Sequence, residues 1–429
     1  MENKKKILFL GDFIAPTGFA TVNHNIVDEL LKTGKYDITV IGINHWGDPY
    51  DRNRWPIDIF PAMMGAPSND PVRKEPFGRQ RTLDFLGTGE FDILFIHQDH
   101  FLICEIGEAI IQTREDLIKA GKKPFKWIFY SPIDGILRQE WFDGTFKLAD
   151  YNATYTNWAK KIVNDLGAQC DYIPLGTNLK DFKVLTDGSP DNCRKDYFKT
   201  DKFVVLNVNR NQPRKDIPRS ILAFKKFHDI RPDTFLYLHM NPVDVGCNVI
   251  QIATDLGLKL GVDYQVAKQQ NFQVSSLNVI YNASDLLIST CLGEGWGLST
   301  TEAFATKLPV IVPNNTSLTE MCADGRGILA DSGKEKFMIS NADNNQWRPL
   351  TDVDDMVKKM VDYYDNRESK KYKDMIQKAY DWSQALTWES ITKQWIEIFD
   401  HIFDDKVKQN RNDLCSCSSG KKYKKCCGK

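Results

Sequence analysis

Two carboxylates and three glycines crowd one stretch of the chain, Cys291-Leu-Gly293-Glu294-Gly295-Trp-Gly297-Leu298-Ser299-Thr-Thr-Glu302. Glu294 and Glu302 stand eight residues apart, and Gly293, Gly295 and Gly297 let backbone approach a ligand closely. A β-rich run precedes the turn and a helical pattern opens at Leu298 and Ser299. Unpaired N–H groups and a positive dipole end would then meet there, which suits a diphosphate. A plainer reading is a capping box, since Ser299-x-x-Glu302 fits one, but it leaves the glycines and the first acid unexplained. A second cluster closes the sequence. Cys415, Cys417, Cys426 and Cys427 place four soft ligands within 13 residues, enough for one tetrahedral Zn²⁺. The other six cysteines are scattered singly, the usage of buried apolar residues in a reducing compartment.

These groups need elements to hold them. Apolar runs at Ile7–Leu10, Asp37–Ile43, Asp92–Gln98 and Phe125–Ser131 alternate with helical patterns, and the rhythm restarts at Phe203. Continuous apolar strands separated by helices predict parallel sheets covered on both faces. The fold class read here is α/β, with two doubly wound domains over 1–182 and 201–385, a polar linker over 183–200 and a small zinc knuckle over 406–429. Trp46–Gly87 reads as a surface excursion. Ligands of such domains lie in the cleft, at the carboxyl ends of the strands. Asp352-Val-Asp354-Asp355 precedes a helical pattern and reads as a dipole cap, not a metal motif.

Composition bounds the class. The 429 residues are 42% hydrophobic with 45 Gly and Pro, which excludes a low-complexity chain. The net charge of -1 hides a +7 tail from Lys406 onward and a -8 body. The apolar run after Lys4, Lys5 and Lys6 stops at four residues, short of the roughly 7–15 of a signal core. Nothing approaches the ~18 of a membrane helix. A cytoplasmic protein without a membrane span is expected.

The motif Glu294-Gly-Trp-Gly-Leu-x-x-x-Glu302-Ala resembles the E-x7-E signature of GT-B retaining glycosyltransferases of family 4. The resemblance spans roughly residues 6–405 and implies two Rossmann-like domains, with a helix over 386–405 crossing back to the first. It implies a nucleotide-sugar donor (UDP- or GDP-sugar), hexosyl or pentosyl transfer with retention, and no catalytic metal. Glu294 would contact the donor sugar and Glu302 the ribose. Arg210 and Lys215 stand where the family has an Arg and a Lys five apart; they would neutralise the leaving diphosphate, whose charge grows in the transition state. Gly18 falls in the family's donor-facing loop, and Glu320 also matches an acid there.

The family's histidine near the reacting carbon is replaced by Tyr130-Ser-Pro132-Ile-Asp134-Gly135. Asp134, or its rivals His97, Asp99 and His100, would orient or deprotonate an acceptor hydroxyl. The tail resembles the SEC-C zinc motif, departing at Leu414, Ser416 and Ser418 but keeping all four cysteines. Its metal would supply its folding free energy. The basic tail suggests a nucleic-acid acceptor, such as DNA with hydroxymethylated bases. A saccharide, lipid or protein acceptor is the alternative, and an inactive GT-B adaptor docking through the knuckle is the rival from another class. Loops near 241–246 and 268–272 would read the donor base.

Overall fold

A computed structural model describes residues 4–63, 75–267 and 273–403, without the side chain of Glu335. The loop 268–272 and the four tail cysteines Cys415, Cys417, Cys426 and Cys427 lie outside the described residues.

The first sheet contains β1 (Lys5–Asp12), β2 (Tyr36–Ile43), β3 (Asp58–Pro61), β4 (Ile93–His97), β5 (Lys126–Tyr130), β6 (Tyr151–Thr154) and β7 (Asp171–Tyr172). Its order is β3-β2-β1-β4-β5-β6-β7, parallel throughout. The second contains β8 (Phe203–Val208), β9 (Thr234–His239), β10 (Tyr264–Val266), β11 (Leu286–Ile288), β12 (Val310–Pro313) and β13 (Ile328–Ala330), ordered β10-β9-β8-β11-β12-β13. An antiparallel hairpin of β14 (Ser332–Met338) and β15 (Arg348–Thr351) follows.

The molecule is therefore α/β with two doubly wound sheets. Ile7, Leu8, Phe9 and Leu10 are all fully buried, because helices cover both faces and leave β1 no polar side. The strand order reverses between β1 and β4, and between β8 and β11. Such switch points open a crevice at the carboxyl ends of the strands.

Helices tie the halves together. Thr17 caps the helix Gly18–Lys32, accepting from the Ala20 N–H at 3.1 Å. The segment 183–200 contains helical turns over Ser189–Asn192 and Cys193–Phe198. The helix Trp388–His401 lies on the first sheet, where fully buried Trp395 packs edge-on to Phe95 and Tyr130, with ring centroids 5.2 and 4.7 Å away. Asp352 caps Val353–Asn366, accepting from the N–H groups of Asp354 and Asp355 at 3.0 and 3.1 Å. No helix among the described residues is long and apolar enough to cross a membrane.

Candidate active site

The loop after β8 makes one tight turn over Pro213–Lys215 and leaves it through Asp216, at φ 45°. That turn brings the next two side chains to the loop after β11. The Arg214 carbonyl accepts the Leu292 N–H at 2.8 Å, fixing the two loops together. Lys215 Nζ meets one Glu294 oxygen, and Arg214 Nη1 lies 3.3 Å from the other. Burial alone would raise Glu294, but Lys215 and Arg214 outweigh it and hold the carboxyl down to about 2. Arg210, five residues before Lys215, is paired instead with Asp244 at 2.7 and 3.2 Å on an exposed loop. Sequence spacing pointed to Arg210; the cation beside Lys215 at Glu294 is Arg214.

Glu294 is also held through its backbone. Its N–H donates to Thr316 Oγ1 at 2.9 Å. Thr316 sits at φ 45°, a conformation that strains a β-branched residue.

The second acid has another environment. Glu302 accepts from the Tyr281 hydroxyl at 2.7 Å, and burial raises it to about 7 against that bond. The capping box is not formed: Gly297, at φ 102°, opens the helix Leu298–Ala305 without a side-chain cap. Leu298 and Ser299 occupy its first two positions, where N–H groups lack intrahelical partners.

Gly293 and Gly295 also admit the first domain. A Cβ on Gly295 would stand 2.4 Å from Pro132, and one on Gly293 would stand 2.1 Å from the Asp134 carbonyl. The first domain fills that space. Gly18 also faces across the cleft, its hypothetical Cβ 3.4 Å from Leu298.

Asp134 arrives from the first domain between two guanidiniums. Arg214 Nε lies 3.3 Å away, and Arg348 Nη1 and Nη2 each lie 3.2 Å away. Burial would raise its pKa, but Arg214 and Arg348 hold it below the usual carboxylate range. Arg348, on β15, also binds Asp343 at 2.6 and 2.9 Å. A ladder of alternating charge thus runs from Asp343 through Arg348, Asp134, Arg214 and Glu294 to Lys215.

His97 is a core residue. Its ring nitrogens are taken by Asn23 and Tyr155, it stacks on Tyr130 at 4.8 Å, and burial lowers it to about 3. His100 is buried too, with Nδ1 3.2 Å from the Pro132 carbonyl, and burial lowers it to about 4. Asp99 is half-buried at the end of β4. Glu320 accepts from Asn157 Nδ2 at 3.0 Å and the Trp158 N–H at 3.2 Å, capping a helix of the opposite domain.

The architecture matches known folds along nearly its whole length. A sucrose-phosphate synthase from Thermosynechococcus elongatus superposes with a TM-score of 0.69 at 16% identity, covering 94% of this chain and 99% of that one. HepE from Anabaena, solved with UDP and glucose, gives 0.66 at 14% identity, covering 92% and 99%. WaaG, a glycosyltransferase of lipopolysaccharide biosynthesis, gives 0.63 at 13%, covering 92% and 99%. The fold is that of the GT-B glycosyltransferases. Residues 190–382 match the family described as glycosyl transferases group 1, and residues 411–429 match the SEC-C motif, so the chain carries a group 1 glycosyltransferase domain and a SEC-C motif. A UPF0225 protein of Vibrio cholerae is 62% identical over 34 residues, 8% of this chain; the match spans about a fifth of that relative, 22%.

Proposed function

We propose that the protein transfers a sugar from a nucleotide-sugar donor to an acceptor hydroxyl, with retention. The observation that carries this reading is Glu294 held between Arg214 and Lys215 at the second sheet's switch point. A diphosphate entering there takes over both cations, which stabilise the charge that grows as it leaves. Glu294, released from them, accepts from the sugar hydroxyls, and Glu302 binds the ribose. Arg210 lies in the same loop and meets the diphosphate at the rim. A uridine donor is supported by the HepE complexes with UDP and with UDP-glucose. The acceptor enters from the first domain, past Gly18, Asp99 and Asp134. The tail binds one structural Zn²⁺ through Cys415, Cys417, Cys426 and Cys427, and its basic residues hold a nucleic-acid acceptor.

A thermal-shift panel of UDP-, GDP-, ADP- and dTDP-sugars tests the donor. A ligand at ~100 times its dissociation constant stabilises by roughly 2.7 kcal/mol. If no nucleotide sugar raises the melting temperature, the proposal fails. Product configuration at the anomeric carbon checks retention.

A further inference from the structure

The two acids of the motif are held in different ways. Glu294 has both oxygens engaged, one by Lys215 and one by Arg214. Glu302 is half-buried, and among the described residues the Tyr281 hydroxyl is the one donor to its carboxylate, reaching Oε2 at 2.7 Å. Oε1 has no protein partner there and stays open to solvent. The tyrosine itself is fully buried and rigidly set. It lies in the last turn of the helix Val274–Asn282, its ring edge-on to Phe182 with centroids 5.6 Å apart. The same turn is tied to the chain that crosses between the domains. Asn278 Oδ1 accepts the Lys183 N–H at 3.1 Å, Asn282 Oδ1 accepts the Leu185 N–H at 2.9 Å, and Asn282 Nδ2 donates to the Lys183 carbonyl at 2.9 Å. A buried phenol needs an acceptor, and a backbone carbonyl would serve. Spending it on a carboxylate already withdrawn from water is costly, which points to a use for the bond.

We propose that Tyr281 is a positioning residue for ribose recognition: its hydroxyl pins Glu302 Oε2, so that Oε1 is presented in one fixed place to the ribose hydroxyls of the donor. This rests on the glycosyltransferase reading above, with Glu302 as the ribose ligand. Tyr281 touches no substrate and acts through Glu302. A glutamate side chain has much rotamer freedom to lose on binding. The bond from Tyr281, itself fixed by Phe182 and by the pinned helix, removes that freedom before the donor arrives. The ribose lies away from the reacting carbon, so the bonds it makes are the same in the ground state and the transition state. Such uniform binding lowers KM and leaves kcat unchanged.

Calorimetry of the full-length protein with UDP and with 2′,3′-dideoxy-UDP reads this out. The parent should bind UDP about 30-fold more tightly, as hydrogen bonds to a charged group allow. Tyr281→Phe keeps the ring and removes only the oxygen. It should bring the two affinities within about threefold of each other, and raise KM for UDP-glucose hydrolysis about tenfold while kcat stays within about threefold of the parent. Glu302→Ala should lose the discrimination as well, and adding Tyr281→Phe to it should weaken UDP no further, as for two groups that act as one. A Tyr281→Phe protein with the parent's ratio, or a double variant weaker than Glu302→Ala alone, makes the tyrosine a packing residue and overturns the assignment. A parent that binds UDP and the dideoxy analogue equally overturns it too. A parent that no nucleotide sugar of the panel stabilises overturns the glycosyltransferase reading itself, so the two failures are distinguishable.

Discussion

Glu302 sets function against stability within one carboxyl group. Burial raises its folded-state value from 4.5 to about 7. An acid raised on folding binds its proton more tightly in the native state, so the native state gains at low pH. That advantage fades as pH rises from the unfolded value through about 7. Glu302→Gln stays neutral and still accepts from Tyr281. It should melt with the parent near pH 5 and above it near pH 8, while binding the donor more weakly; a variant no more stable at pH 8 would contradict the burial argument. Glu294 has the opposite sign. Its folded value is depressed to about 2, so its stabilisation is present above 4.5 and lost as pH falls through about 2. Glu294→Gln leaves Lys215 without its carboxylate and Arg214 with Asp134 alone, their side chains only 12% and 22% exposed. Removing one member of a buried pair costs about 3–5 kcal/mol. We expect Glu294→Gln to fold with a lowered melting temperature that no longer falls between pH 4.5 and 2 through this group. Glu294→Gln and Lys215→Ala should each lose transfer by about 100-fold, measured with any donor the parent uses.

The β14–β15 hairpin is the element that makes the site a property of both domains. Gln346 Oε1 accepts the Ile136 N–H at 2.9 Å, Arg138 reaches the Asn345 carbonyl at 3.2 Å, and Arg348 binds Asp134. A Cβ on Gly135 would stand 2.2 Å from Gln346 Oε1 and displace that amide from the Ile136 N–H. Arg348→Met keeps much of the volume and removes the charge. Its side chain is 3% exposed, and leaving Asp134 and Asp343 with one cation fewer should cost about 3–5 kcal/mol. The ligand-free variant should also open, read as a larger radius of gyration in solution scattering; an unchanged radius would show that the hairpin does not hold the cleft. This element was invisible in the sequence. Apolar runs announced β1, β2, β4, β5 and the restart at β8, because burial on both faces demands continuous apolar residues. By contrast, β6 reads Tyr-Asn-Ala-Thr and β7 is two residues long; their neighbours make them strands. Glu294 was legible because strand, glycine turn and helix sit within one stretch. Arg214 was not, since the Pro213–Lys215 turn decides which cation points inward. Arg348 carries no local pattern, and its partner Asp134 is 214 residues away.

At the scale of the molecule, the two domains are joined at two points, by Arg348 on Asp134 and by Glu320 on the start of the helix Asn157–Asp165. The helix Trp388–His401 returns the chain to the first domain, where Lys5 Nζ donates to the carbonyls of Phe399 and Asp400 at 3.1 and 2.9 Å. That places residue 403 beside the start of β1: the Phe403 ring lies under Lys5 and Lys123 at 5.2 and 4.7 Å. The cleft is at the other end of β1, about 23 Å away at ~3.3 Å per residue. Residues 404–410 separate Phe403 from the SEC-C motif, a tether of at most about 25 Å. Arg214, Lys215, Glu294 and Glu302 all precede Phe403, so donor chemistry is expected not to depend on the tail. Its charge also falls on metal binding, because four thiolates with one Zn²⁺ add about -2 to the +7 of its side chains. Truncation after Phe403 should therefore leave UDP-glucose hydrolysis within about twofold and remove one zinc per chain by metal analysis. Duplex DNA binding should weaken, with a shallower dependence of log affinity on log salt, by about 0.9 for each phosphate that the tail neutralises. A slope unchanged by the truncation would mean that the tail touches no phosphates, and would turn the acceptor reading toward a saccharide. Lost hydrolysis in the truncated protein would mean that the tail reaches the cleft after all.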